Sequence, residues 1–453
     1  MLTAVRAAAR GAEDPWWQRG DFAPLRTETT AERLPVEGSL PKSLSGLYVR
    51  NGSNSRNAHW FIGDGMVHGV HLEDGEARSF RSRFVETKLH ATGASLGDAG
   101  PPQLDDGYAN VSVFHHANRL LASGEVGLPW ELSPDDLSTR GLYDFGGRLT
   151  TSMTAHPKID PATGQLHFFG YGFLGADALT YHVADADGAL VSSQAVAVGQ
   201  TTMIHDFAIT DRDVIFWELP VTFDLEALPT GIPFRWHPEY GARIGIMPLG
   251  GPTTAIQWVE IEPCYVFHGV NAYRTGDDVV IDVCRHEKIF DPGVTDSGEL
   301  SLRRWRVATG GASLRFSEEI VAEADQRGDP GELPTRDPRL VGRDYRYGYL
   351  LRSRTRRDGG LVFGGVVKHD FRRGTRETWD PGPGRQANEF LFVPEGRGED
   401  EGHLLSYVYD ADRKRSDLVV LDATDVGAGP VATVELPTRV PYGFHGTWVP
   451  DDG

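Results

Sequence analysis

At 453 residues, with 54 glycines and 28 prolines spread along it, the chain is long enough for one large core or two to three ordinary domains, and its composition suits many short strands joined by tight turns. A formal net charge of −19 and a pI near 5.3 argue against a nucleic-acid partner, which needs clustered Lys and Arg. No apolar run approaches the roughly 18–20 residues of a spanning helix, and the N-terminus MLTAVRAAARGAEDPWW lacks an apolar signal core, so a soluble cytoplasmic protein is expected.

In chain order, residues 1–34 mix charge, proline and tryptophan without a period and read as an arm laid over a single domain spanning 1–453. Short alternating runs then dominate. The pairs 67–72 and 77–85 around EDGE, 179–183 and 189–198 around ADADG, and 206–209 and 214–219 around TDRD each predict a β-hairpin. So do 270–273 and 279–283 around RTGDD, 302–307 and 313–319 around ATGGA, and 404–409 and 417–421 around DADRKRS. Hairpins recurring this way predict an all-β chain, best arranged as a β-propeller of about six or seven blades, with a pair of β-sandwiches as the alternative. Residues 218–245 and 321–345 break the rhythm as long proline-bearing insertions, where covers over a rigid scaffold are usually built. Cys264 and Cys284 lie in apolar strand-like stretches and read as small buried residues.

Of the 16 histidines, His90, His167, His182, His369 and His403 sit among polar or turn residues and read as surface groups. Four stand instead beside apolar residues at the edges of strand-like runs: His156 in TAHPK, His205 in MIHDF, His268 in VFHGVN and His445 in GFHGTW. A buried neutral imidazole needs partners for both ring nitrogens. Their separations are about one, one and three blade lengths, so a propeller axis would let them meet. From spacing alone, four unconnected structural histidines are the simpler explanation; zinc normally takes more closely spaced ligands, while imidazole nitrogens also suit iron and copper.

The segments LPKSLSGLYVRNG (40–52), HWFIGDGMVHG (59–69), TAHPK (154–158), IHDF (204–207), FHGVNAY (267–273), ELPTRDPRLVGRDYRYGY (332–349), FLFVPEGRGEDEGHLLSYVYD (390–410) and FHGTW (444–448) occur in this order. Together they resemble the carotenoid cleavage oxygenase family from about residue 35 to about residue 450. The resemblance implies an all-β, seven-bladed β-propeller with a dome of loops and short helices over an axial site. There, one iron(II), Fe(2+), per chain would be held by His156, His205, His268 and His445. It also implies that Glu125, Glu332 and Glu389 pair with His205, His268 and His445, leaving His156 without a carboxylate. A carboxylate on the distal N–H of a metal-bound imidazole fixes its tautomer and direction. Val111, where many relatives carry threonine, falls where a side chain crowds an open position on the metal.

The activity implied is oxygenase chemistry: O2-dependent cleavage of a carbon–carbon double bond into two carbonyl products, without a nicotinamide, flavin or 2-oxoglutarate. Relatives that cleave stilbenes carry a lysine immediately before the glutamate matched by Glu125, and here that position is Gly124. This turns the expectation towards a lipophilic carotenoid or apocarotenoid, with a stilbenoid or phenylpropenoid as the alternative and Tyr108 as a substitute phenol contact. Leu225, Leu228, Ile232, Phe234 and Trp236 are candidates for an apolar mouth touching a membrane peripherally. A calcium-dependent propeller lactonase would need oxygen ligands rather than these nitrogens.

Overall fold

The computed structural model describes residues 14–98, 100, 102–170, 178–230, 232–291, 299–323, 330–355 and 360–451, the side chains of 56–58 and 228–230 excepted. All six predicted hairpins form as antiparallel pairs. They lie in five of the seven sheets of four or more strands found among the described residues, which are the blades of a seven-bladed propeller.

The strand at one edge of each sheet faces the axis. Ala208–Ile209 touches Tyr265–Thr275, which touches Glu332–Thr335, and Gly446–Pro450 touches Ser112–His116. Some of these inner strands are two residues long, as at Lys158–Ile159 and Ala208–Ile209, too short to show alternation in sequence. The ring closes twice. Gly446–Pro450 pairs with Gly46–His59 in the first blade, and Val36–Gly38 pairs with Pro430–Glu435 in the last. Thr29–Leu34, within the stretch read as an arm, forms the outer strand of the first blade. The rest of the described arm packs Trp16 and Phe22 edge-on against Trp60.

The core lies between blades. One cluster joins Phe216, Trp217 and Ile244 of one blade to Val279, Ile281 and Trp305 of the next, and each such fully buried apolar side chain contributes roughly 1.5–3 kcal/mol. Cys264 and Cys284 are buried and free, as expected.

Stacking blades face to face also overturns one expectation. His167, His182, His369 and His403 are buried rather than on the surface, and His90 is half-buried. Strand-borne histidines are caught between sheets and take local partners: His167 meets the Tyr181 hydroxyl at 2.6 Å, and His182 meets Thr151 and Ser193, each at 2.8 Å. His369 meets the Pro330 carbonyl at 3.2 Å, and His403 meets Glu395 at 2.9 Å.

The two insertions also differ from a plain cover. Residues 218–245 contain a separate hairpin, Val221–Phe223 with Phe234–Trp236, and then supply the blade strand Ala242–Pro248. Residues 321–345 contain the inner strand Glu332–Thr335 of the sixth blade.

Candidate metal centre

His156 and His205 stand just before the inner strands of their blades, His268 lies within one, and His445 immediately precedes the closing strand. Their ligand nitrogens all lie within 4.8 Å of one another. The Nε2 atoms of His156 and His205 are 2.9 Å apart, and those of His205 and His268 3.2 Å. Imidazole nitrogens sharing one ion at roughly 2.1 Å stand about 3 Å apart when their bonds are at right angles. The cluster therefore has the spacing of a shared-ion site.

The opposite ring nitrogens fix this direction. Nδ1 of His205 faces Glu125 at 2.6 Å, Nδ1 of His268 faces Glu332 at 2.5 Å, and Nδ1 of His445 faces Glu389 at 2.7 Å. With Nδ1 of His268 and His445 hydrogen-bonded to a carboxylate and that of His205 facing one, the Nε2 lone pairs point inward. Among the described residues His156 has no such carboxylate pair. Burial holds its pKa well below the ordinary imidazole value, and the neighbouring histidines push the same way. His445 is also lowered, by burial first and against the pull of Glu389. His268 differs: burial opposes its charge, but the Glu332 carboxylate outweighs burial and raises it. Glu332 itself sits well below the usual carboxylate range, since His268 and His286 overcome the cost of burying it.

Local structure sets each carboxylate. Gly331 has φ +94°, and a Cβ there would meet the Leu351 carbonyl at 2.7 Å. Leu333, at φ 51°, then turns its amide back onto the Glu332 carboxylate. Glu389 follows Asn388, a fully buried residue whose Oδ1 accepts the Gly443 amide two residues before His445. The backbone of His445 is itself pinned, its amide donating to Val111 and its carbonyl accepting from Asn51.

Two residues of the site escaped the sequence reading. Asp206 is 2 % exposed. It accepts Lys158 Nζ at 2.6 Å, the Phe207 amide at 2.8 Å and the Gly269 amide at 2.9 Å, tying together the segments that carry three of the four histidines. Its place beside His205 in IHDF was the available signal. His286 Nε2 meets the second oxygen of Glu332 at 3.2 Å; nothing in the run VVIDVCRH marks it.

A cavity of about 780 Å3 opens over the cluster, lined by Trp16, Trp17, Trp60, Phe61 and Phe267 among others. Val111, Gly124 and Tyr108 line it as well, and the Tyr108 hydroxyl accepts the Leu96 amide at 2.9 Å. His59 adds a polar group to this wall; its Nδ1 accepts the Phe61 amide, and burial lowers its pKa to about 4.

Of the residues expected at an apolar mouth, two line the cavity. Ile232 and Phe234 are buried and face the cavity, and Trp236 is half-buried against the core, because the hairpin folds its apolar side inward. Leu225 is 67 % exposed. The side chain of Leu228 lies outside the described residues.

Residues 22–450 match the family described as retinal pigment epithelial membrane protein. A carotenoid cleavage oxygenase of Mycobacterium tuberculosis is 36% identical, with 99% of this chain and 100% of that one covered. The chain belongs to the carotenoid oxygenase family. Its fold is that of the family's solved structures. A lignostilbene dioxygenase of Pseudomonas brassicacearum superposes with TM-score 0.87 at 28% identity, over 97% of this chain and 100% of that one. Cobalt-substituted apocarotenoid oxygenase of Synechocystis superposes with TM-score 0.82 at 29% identity, over 96% and 98%. As a family member the protein is an oxygenase, and its four-histidine group suits a metal ion.

Proposed function

We propose that this carotenoid oxygenase holds one iron(II) on His156, His205, His268 and His445 and uses O2 to cleave a carbon–carbon double bond of a carotenoid or apocarotenoid into two carbonyl products. The donor set supports the metal: four convergent nitrogens, three of them oriented by carboxylates, whose negative charge offsets that of a dication. The relative crystallised with cobalt supports it independently. Iron bound there would supply the activation of O2.

The chain's own residues do the rest. Glu125, Glu332 and Glu389 keep three Nδ1 protons in place. Asp206 holds the histidine-bearing segments in register. The aromatic walls exclude water and lay an extended apolar substrate across the cluster, while Val111 narrows the approach beside His445.

The observation that carries the substrate reading is the cavity: about 780 Å3 with largely apolar walls, a volume suited to a long polyene. Glycine stands at position 124, where stilbene-cleaving relatives carry a cation. A stilbenoid or phenylpropenoid is the second reading, favoured by the fit to the lignostilbene enzyme and by Tyr108 in the wall. The proposal also keeps a cytoplasmic protein that takes its substrate by peripheral membrane contact near Leu225. Among the described residues no helix is long and apolar enough to cross a membrane.

Oxygen uptake by anaerobically iron-loaded protein tests the reading, with an apocarotenal and a hydroxystilbene supplied in parallel. Uptake with aldehyde products from the apocarotenal is expected. Uptake with the stilbene alone would transfer the assignment to the second reading, and no uptake with either would overturn both.

A further inference from the structure

We propose that the propeller carries a second, internal binding site, a closed pocket around Arg50 that takes one small monovalent anion of halide size. Arg50 lies in the strand Gly46–His59, paired opposite His68 and Gly446, and is 1 % exposed. It lines a cavity with room for about one water-sized occupant, closed on the far side by Val440–Gly443, the run leading to His445. Every residue around this cavity is buried.

None of the three guanidinium nitrogens makes a hydrogen bond of good geometry, and Arg50 has no ion pair among the described residues. Its carbon Cζ lies 5.7 Å from the centre of the Tyr442 ring. The Tyr48 and Tyr442 hydroxyls lie within hydrogen-bond reach of the guanidinium, but they are neutral and cancel none of its charge. An unpaired guanidinium taken out of water is strongly unfavourable without a counter-charge.

The other unpartnered side-chain atoms on the cavity wall are Ser53 Oγ and His68 Nδ1. Each can donate a hydrogen bond, and arginine can only donate. The Ser53 hydroxyl and the neutral imidazole can also accept, so a water molecule could bond there, but only an anion accepts from all of these groups and also offsets the charge of Arg50. The nearby acids do not fill the role. Glu389 is already engaged by His445 and the Gly446 amide. Asp21, whose carboxylate oxygens are buried without partners, is pushed up to about 8 by burial against the pull of Arg439 and Arg50, so it is largely protonated at neutral pH. The cavity has room for one small occupant and excludes phosphate or sulfate.

Bound there, the anion would neutralise Arg50 where the C-terminal run meets the first blade, strengthening the closure of the ring. Crystals of the iron-loaded protein soaked in bromide, with anomalous scattering recorded at the bromine edge, are expected to show a peak inside the cavity beside the Arg50 guanidinium. In solution, exchanging gluconate for chloride at constant ionic strength is expected to raise the unfolding midpoint by a few degrees, and Arg50→Met to abolish that rise. An ordered water with no anomalous peak would overturn the proposal, as would an equal chloride response in Arg50→Met. If that variant does not fold, the anomalous map of the wild-type protein decides alone.

Discussion

Glu332 is gripped by His268, by His286 and by the amide of Leu333, so its replacement tests how far this carboxylate directs the metal ligand. Glu332→Gln is expected to lower iron(II) affinity about 10- to 100-fold, read by competition with a chromogenic chelator; unchanged affinity would mean that His268 needs no orienting partner. Asp206 acts on a different quantity. Asp206→Asn leaves Lys158 buried without its counter-charge and is expected to cost roughly 3–5 kcal/mol of stability, measured by denaturant unfolding. At this scale the sequence was partly legible. The four histidines could be picked out by their apolar neighbours, but only the ordered run of motifs connected them. Glu125, Glu332 and Glu389 were unreadable without that run, because a lone glutamate beside a turn looks like a solvated one until the fold brings an imidazole to it. His167 and His182 were misread for the converse reason: polar neighbours in sequence do not reveal that a second sheet covers them.

Among the elements, the hairpin of Val221–Phe223 and Phe234–Trp236 connects an insertion to the cavity. Phe234 packs near Phe223, with ring centres 6.1 Å apart, and faces the cavity. Phe234→Ala should raise KM for a long apolar substrate by about tenfold or more while leaving iron content unchanged. Loss of iron in this variant would show that the hairpin supports the metal centre rather than the substrate. The six hairpins were legible because each joins two alternating runs across a Gly- or Asp-rich turn. Inner strands such as Lys158–Ile159 were not, since two residues have no period. Glu332–Thr335 was hidden in an apparent insertion because Pro334 and the left-handed Leu333 break the strand pattern exactly where the carboxylate is aimed.

For the whole molecule, the ring is closed by strands from opposite ends of the chain, Gly446–Pro450 on the first blade and Val36–Gly38 on the last. No local pattern announces pairings this distant. The stacked blades also bury titratable groups. Burial lowers His59, His167 and His182 to about 4 and, with Arg439 and Arg50 assisting, His68 to about 3, from an ordinary 6.5. As pH falls below about 6.5 the unfolded chain takes up protons that these folded histidines refuse, so their contribution is present above that pH and lost towards pH 4 and below. Asp21, raised to about 8, works oppositely over this range and offsets one of the four. The denaturant midpoint is therefore expected to decline steadily from pH 6.5 to pH 4, and a flat profile would contradict buried neutral histidines.

The central claim is that one ion is shared by four imidazoles from four blades. X-ray absorption at the iron edge of anaerobically reconstituted protein tests it most directly. One iron per chain is expected, with four nitrogen neighbours at roughly 2.1 Å and the outer-shell scattering of four imidazole rings. An oxygen-dominated shell, or iron bound without imidazole scattering, would contradict it.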